Sequence, residues 1–344
     1  MSLLPYVYSS TGSYNEILRT NKVGTFSLDI TLLNPTLLDW GDGSAAQTIP
    51  AGQNVTTHSY TQAGEKQIKL RDGYAQVSRM LVPNQGITAA RLSKFRLFAN
   101  ALYLDNNLDL KVIELPETSS AFALRVNLTT FAGVLDISVC PGVTQVLAAD
   151  SSFTGLKGKA GMSALQTLQL MRSNITGVLD LSYYTGLRST LDLRNNPNMT
   201  GVLFPVNTVA VVSMYLISCN LTGTLDTTPL TMNGSLYVPS NPLLTNVLVK
   251  QGTSLANLIA NNCALNTVFP FGSGFTVTTL INLASNNMSA ANVNANVDNI
   301  YQNKGAFVTT AKTLNLTGNA APTGTALTQI ADLRANYNWT ITHS

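Results

Sequence analysis

The chain has 344 residues, 45% of them hydrophobic and only 11% charged, with a formal net charge of +3. That length and apolar share allow a sizeable core, in two domains or one extended solenoid, and exclude a disordered polymer. The charge balance provides no basic field to draw nucleic acid or an anionic membrane, and no run approaches the roughly 20 apolar residues of a membrane helix.

Residues 1–22, MSLLPYVYSSTGSYNEILRTNK, lack the cationic start and continuous apolar stretch of a secretion signal and read as an N-terminal arm. The chain is expected to be soluble: it stays in the cell that makes it, leaves by lysis, or has lost a leader. Residues 23–76 follow a different pattern. "TFSLDITLL" alternates as a strand, "LLDWGDGS" is a strand running into a tight turn, and "NVTTHSYTQAGEKQIKL" is strand, turn, strand. Short strands with Gly-rich turns predict a small β-sandwich. Asp39 and Asp42 are few beside the six to eight oxygens calcium takes, so turn-making is the better reading. Asp39-Trp40-Gly41-Asp42-Gly43, followed by His58-Ser59-Tyr60 and Gly64, resembles the signature of PKD-type domains. The resemblance implies that the tryptophan strand and the later tyrosine pack across two sheets. The copy is short, which implies a missing strand or one replaced by the N-terminal arm.

From residue 77 to 344 the sequence repeats. Met80, Leu102, Leu124, Val146, Leu168, Leu191, Met214, Leu236, Leu258 and Ile281 each open an apolar-x-apolar pair, spaced by 22 or 23 residues. The second apolar position, two residues on, predicts a short strand with one buried face. Five residues after each anchor stand Gln85, Asn107, Thr129, Ser151, Ser173, Asn196, Cys219, Asn241, Cys263 and Asn286, all able to hydrogen-bond the backbone where the chain turns off a strand. An apolar plug and often Thr-Gly follow, as in Ile175 to Gly177 and Leu221 to Gly223, with Phe131 to Gly133 keeping the plug and the glycine. Such periodicity is the mark of a stacked-repeat architecture. The pattern resembles the leucine-rich repeat family over about residues 78–340. "NITGVLD" and "NLTGTLD" look like bacterial and plant-type repeats, in which a second short strand follows the Thr-Gly.

The expected fold is therefore mostly β with minor α: a leucine-rich-repeat solenoid of about 11 rungs with a helical C-terminal cap from about residue 289, preceded by a small PKD-like β-sandwich. In the cap, "SAANVNANVDNIY" predicts a helix with Ser289 as N-cap and Val293, Val297, Ile300 and Tyr301 at helical spacing. "ALTQIADLRAN" predicts a second helix and "WTIT" a closing strand. Terminal repeats are atypical because no neighbour covers them.

Three cysteines without Cys-x-x-Cys spacing indicate neither a disulfide framework nor a zinc site. Cys219 and Cys263 fall two rungs apart in one column, roughly 10 Å, beyond disulfide reach. The sequons at Asn174, Asn220 and Asn287 recur because the repeat recurs. No Gly-x-Ser-x-Gly, P-loop or His-Glu-x-x-His motif occurs, and the histidines, His58 and His343, form no expected dyad, so an enzyme, a cofactor and a metal are not expected.

Strand alternation points one column outward at Tyr103, Arg125, Leu147, Gln169, Asp192, Tyr215, Tyr237, Ile259 and Asn282, and its neighbour at Asp105, Asn127, Ala149, Met171, Arg194, Ile217, Pro239 and Asn261. The candidate binding residues are Tyr215, Tyr237, Ile217, Ile259, Asp192, Arg194, Arg125, Met171 and Tyr103. Tyr215, Ile217, Tyr237 and Ile259 are expected as an apolar patch flanked by Asp192 and Arg194, with the tyrosines also suited to sugar rings. The end pattern resembles proteins of Bacteroidetes bacteria and their phages in which a PKD-like module precedes such repeats. The expectation is a non-enzymatic binding or adhesion protein on a bacteriophage virion surface, such as a fibre, spike or decoration. It would contact a host-surface protein or glycan through the solenoid and other virion or surface proteins through its N-terminal region. The alternatives are a structural assembly protein with solenoid faces as subunit interfaces, which would make it a homo-oligomer, and a bacterial cell-surface adhesin lacking its leader.

Overall fold

A run that alternates apolar and polar side chains gains most by lying flat with one face covered, and the alternating runs of this chain do so. The computed structural model describes residues 14–71, 77–95, 98–206, 210–272, 274–307 and 312–344. Residues 1–13 of the expected arm lie outside it. The described chain is mostly β with two α-helices, and its parallel ladder winds as a β-solenoid of about nine turns. Contacts divide it into two compact units: residues up to Ala132 with Val139–Val143, and Gly133–Ser138 with Thr144–Ser344.

In the first unit Gly24–Leu32 buries Phe26, Leu28, Ile30 and Leu32 on one face. It pairs antiparallel with Gly52–Tyr60 on one side and with Val77–Leu81 on the other. Ala101–Tyr103 and Phe122–Arg125 extend the same sheet in parallel. A six-stranded sheet runs in the order Val112–Glu114, Ile87–Arg91, Tyr14–Thr20, Lys66–Arg71, Thr36–Asp39, Gln47–Ile49. The strands expected between residues 23 and 76 are thus shared between two sheets, and Tyr14–Thr20, from the segment read as an arm, is an interior strand. Trp40 follows Thr36–Asp39 and packs edge-on against Phe26, with ring centroids 6.0 Å apart. The Tyr60 hydroxyl donates to the Trp40 carbonyl at 2.8 Å, so aromatic contacts tie one sheet to the other. Asp39 and Asp42 make the turn between, accepting from the amides of Gly41 and Ser44. Gly41 has a φ of 77°, and an added Cβ would collide with the Gln67 carbonyl, so only glycine fits.

In the second unit, which holds the strand Val143–Leu147 from Thr144 on, the strands run in parallel order from it through Thr167–Gln169, Thr190–Asp192, Ala210–Tyr215, Thr231–Tyr237, Ser254–Ile259, Thr276–Asn282 and Lys312–Leu316 to Trp339–His343. The anchors sit opposite one another: Val146 on Leu168, Leu168 on Leu191, and so on through Met214, Leu236, Leu258 and Ile281 to Leu314. All are at most 2% exposed, so each burial contributes about 1.5–3 kcal/mol.

The turn leaving each strand carries two columns. In one, Asn196, Asn241 and Asn286 are fully buried. The Asn241 side-chain amide donates to the carbonyls of Leu216 and Val238, both at 2.8 Å, and its oxygen accepts from the Leu221 amide at 3.2 Å. Asn196 and Asn286 repeat the arrangement, and Asn319, which falls after the inserted helix, continues it. Cys219 and Cys263 fill the alternate rungs, each Sγ 3.3 Å from the carbonyl of the rung before. All three cysteines are buried and none forms a disulfide. In the other column, one residue earlier, the backbone is left-handed at every rung, from Asn84 through Leu128, Asp150, Arg172 and Asn195 to Ser285, with φ between 51° and 61°.

Beyond the turns, two-stranded sheets form between successive rungs, Thr176–Asp180 with Asn198–Leu203 and Thr222–Asp226 with Leu243–Leu248. At the C-terminus, α1 (Ala290–Gln302) begins at Ser289, whose side chain accepts from the Asn292 amide, and buries Val293, Val297 and Ile300. Tyr301 is only half-buried. The second helix, α2 (Thr325–Asn336), packs against α1 and leads into the closing strand Trp339–His343.

Candidate functional site

The outward positions of the second unit's ladder form a continuous row because the rungs share one register. Gln169 faces Asp192, Asp192 faces Tyr215, Tyr215 faces Tyr237, Tyr237 faces Ile259 and Ile259 faces Asn282. The second column runs beside it. Backbone bonds from Arg172 to Arg194, Asn195 to Ile217 and Ser218 to Pro239 carry the same register through Met171, Arg194, Ile217 and Pro239.

The in-register tyrosines stack. Their centroids lie 4.8 Å apart at an interplanar angle of 7°, close to the spacing of parallel strands. The Arg194 guanidinium lies over Tyr215, 5.0 Å from the ring centroid. Arg194 also binds Asp192 with two nitrogens, Nε at 2.9 Å and Nη2 at 2.5 Å. The hydrogen bond to Asp192, ahead of its charge, raises the Arg194 pKa above the ordinary arginine value. Ile259 lies opposite Tyr237 on the next strand. The row therefore reads Asp192–Arg194, Tyr215, Tyr237, Ile259, with Arg194 and Tyr237 stacked on Tyr215 and Ile259 in register on the next strand.

Two expectations change in consequence. Asp192 is not an exposed flank of the patch: it is 3% exposed, covered by Arg194 and tied into the turn by accepting from the Arg194 amide at 3.3 Å. Nor does Tyr215 offer a free face to a sugar. A pyranose stacks on a free aromatic face, and here Tyr237 and Arg194 cover the two faces of Tyr215. What Tyr215 leaves to a partner is its ring edge and phenolic hydroxyl. Tyr215, Ile217, Tyr237, Ile259, Arg194 and Met171 are all half-buried rather than fully exposed.

Arg125 and Tyr103 belong to the first unit, where they repeat the motif. Arg125 stacks over Tyr103 at 4.5 Å and its Nε pairs with Asp105 at 2.9 Å. An ion pair that sequence reasoning passed over lies at the turns of the second unit. Arg172 grips Asp150 through Nε at 2.5 Å and Nη2 at 2.7 Å, and that hydrogen bond lowers the Asp150 pKa. Its signal was an aspartate followed 22 residues later by an arginine, one repeat apart. The site thus combines an aliphatic and aromatic strip with phenolic hydroxyls, the side-chain amides of Gln169, Asn261 and Asn282, and guanidinium groups held by carboxylates. Such a surface makes directional hydrogen bonds and apolar contacts at once. Among the described residues no group of three or more metal-ligating side chains occurs and no helix is long and apolar enough to cross a membrane.

Comparison with family models, curated proteins and solved structures returns no match.

Proposed function

We propose that the protein is a non-enzymatic binding or adhesion protein that contacts a host-surface protein or glycan through the outward row of its solenoid, as a fibre, spike or decoration on a virion. The observation that carries this reading is the ordered stack Arg194, Tyr215, Tyr237, Ile259. Aromatic and arginine side chains concentrate binding energy, and here register and ion pairing hold their rotamers before any ligand arrives, which lowers the entropy lost on association. Because both faces of Tyr215 are covered, recognition of a glycan would run through hydrogen bonds from the Tyr215 and Tyr237 hydroxyls and neighbouring amides.

The leucine-rich type of the repeat, a count of 11 rungs and a PKD-like module belong to the same reading. The buried asparagine column supports the first, and the contacts among Trp40, Phe26 and Tyr60 support the last. The test is a glycan array and host-cell binding assay on the wild type and on Tyr215→Phe/Tyr237→Phe and Tyr215→Ala/Tyr237→Ala. Loss of most binding in the alanine pair, and of the glycan component in the phenylalanine pair, is expected. Unchanged binding in the alanine pair overturns the site.

A further inference from the structure

The strands that end the described sheets are unequal. Val112–Glu114 and Gln47–Ile49 have three residues each and Trp339–His343 has five, in keeping with the short edges by which proteins avoid strand-to-strand association. Gly52–Tyr60 has nine, pairs along its whole length with Gly24–Leu32, and has no strand on its other side among the described residues. Its sequence, GQNVTTHSY, contains no Lys, Arg, Asp, Glu or Pro to discourage a further strand.

The backbone direction along this edge is fixed by one bond. The Ser27 amide donates to the Gln85 side chain at 2.9 Å, away from Gly52–Tyr60. Ser27 sits opposite Thr57, so the two form a non-hydrogen-bonded pair, and Thr57 turns its N–H and C=O outward. Alternation then turns Gln53, Val55 and Ser59 outward as well. Their side chains are all exposed, Val55 at 67%.

We propose that this edge pairs antiparallel with the same edge of a second copy of the chain, about a two-fold axis at Thr56. That centre sets Val55 against Thr57 and Gln53 against Ser59 of the partner copy, so every outward N–H and C=O is bonded; a centre at Val55 or Thr57 leaves some unmet. Self-pairing also brings no like charges together, and isologous contact about a two-fold axis closes at a dimer rather than growing into a fibre. The inference is independent of the ligand-binding row.

Sedimentation equilibrium of the full chain from low to several hundred micromolar, with amide hydrogen exchange, tests it. The wild type should dimerise reversibly, with the Gln53, Val55, Thr57 and Ser59 amides slowing as concentration rises. Thr57→Pro removes one outward donor and no bond to Gly24–Leu32, and should be monomeric with its melting temperature nearly unchanged. Val55→Lys alters only an exposed side chain and should weaken the dimer roughly tenfold, with recovery in salt. A wild type that stays monomeric overturns the proposal, including the case in which those amides are slow in the monomer because the chain covers its own edge. A dimer indifferent to both substitutions overturns it equally.

Discussion

At single positions the fold is governed by what a turn demands of one backbone. Leu128 adopts a φ of 53°, which costs an ordinary side chain about 1 kcal/mol and which asparagine tolerates better. Leu128→Asn should therefore raise the urea midpoint by about 1 kcal/mol of stability, since the side chain is exposed and loses little packing. A lowered midpoint would count against the conformational reading. The buried column behaves oppositely. Asn241→Ala strands two carbonyls and one amide and should cost about 3 kcal/mol or more, whereas Asn241→Cys should cost less because cysteine already occupies neighbouring rungs; equal losses for the two would refute the role given to the column. A third position is sensitive to pH. Burial pushes the Asp42 carboxyl up, but hydrogen bonds from Ser44 and His58 outweigh it and bring it down to about 2. A folded pKa below the unfolded value of about 3.9 stabilises the protein above that pH, and the contribution is lost as pH falls toward 2. Asp42→Asn should flatten the decline of stability between those limits, measured by urea titration at each pH; an unaltered decline would remove Asp42 from acid unfolding.

At the scale of the element, legibility followed periodicity. Anchors repeating every 22 or 23 residues specified strand, register and buried face together, since a one-residue slip would turn each leucine to solvent. The Ser289 cap and the closing strand were legible for similar local reasons. Strand partnership before residue 77 was not: Tyr14–Thr20 owes its interior place to Lys66–Arg71 and Ile87–Arg91, which are distant in sequence. The outward row was legible as a list of residues but not as a stack, because direction along the strand does not say that one ring lies on the next. Nor did alternation show that Asp192 would disappear beneath Arg194. If Arg194 rests on Tyr215 as a cation, a double-mutant cycle of Arg194→Met and Tyr215→Leu should return a coupling of about 0.5–1 kcal/mol. Zero coupling would reduce the contact to mere adjacency.

Over the molecule as a whole, repetition spreads stability across rungs that touch mainly their neighbours, and it makes distance a function of sequence separation. The native thiols help to measure this. Burial pushes Cys219 and Cys263 up to about 11, so both should resist labelling in the folded protein while introduced surface cysteines react. Arg172, Asn262 and Ser285 are exposed turn residues of the second unit, in equivalent positions of its rungs. Dipolar spin-label distances between cysteines placed at 172 and 262, four rungs apart, and at 172 and 285, five rungs apart, test the stacking most directly. Backbone separations of about 19 Å and about 24 Å are expected, one strand spacing apart. Separations that fail to grow with rung number would contradict the stacked ladder, and with it the ordered row on which binding is proposed to depend.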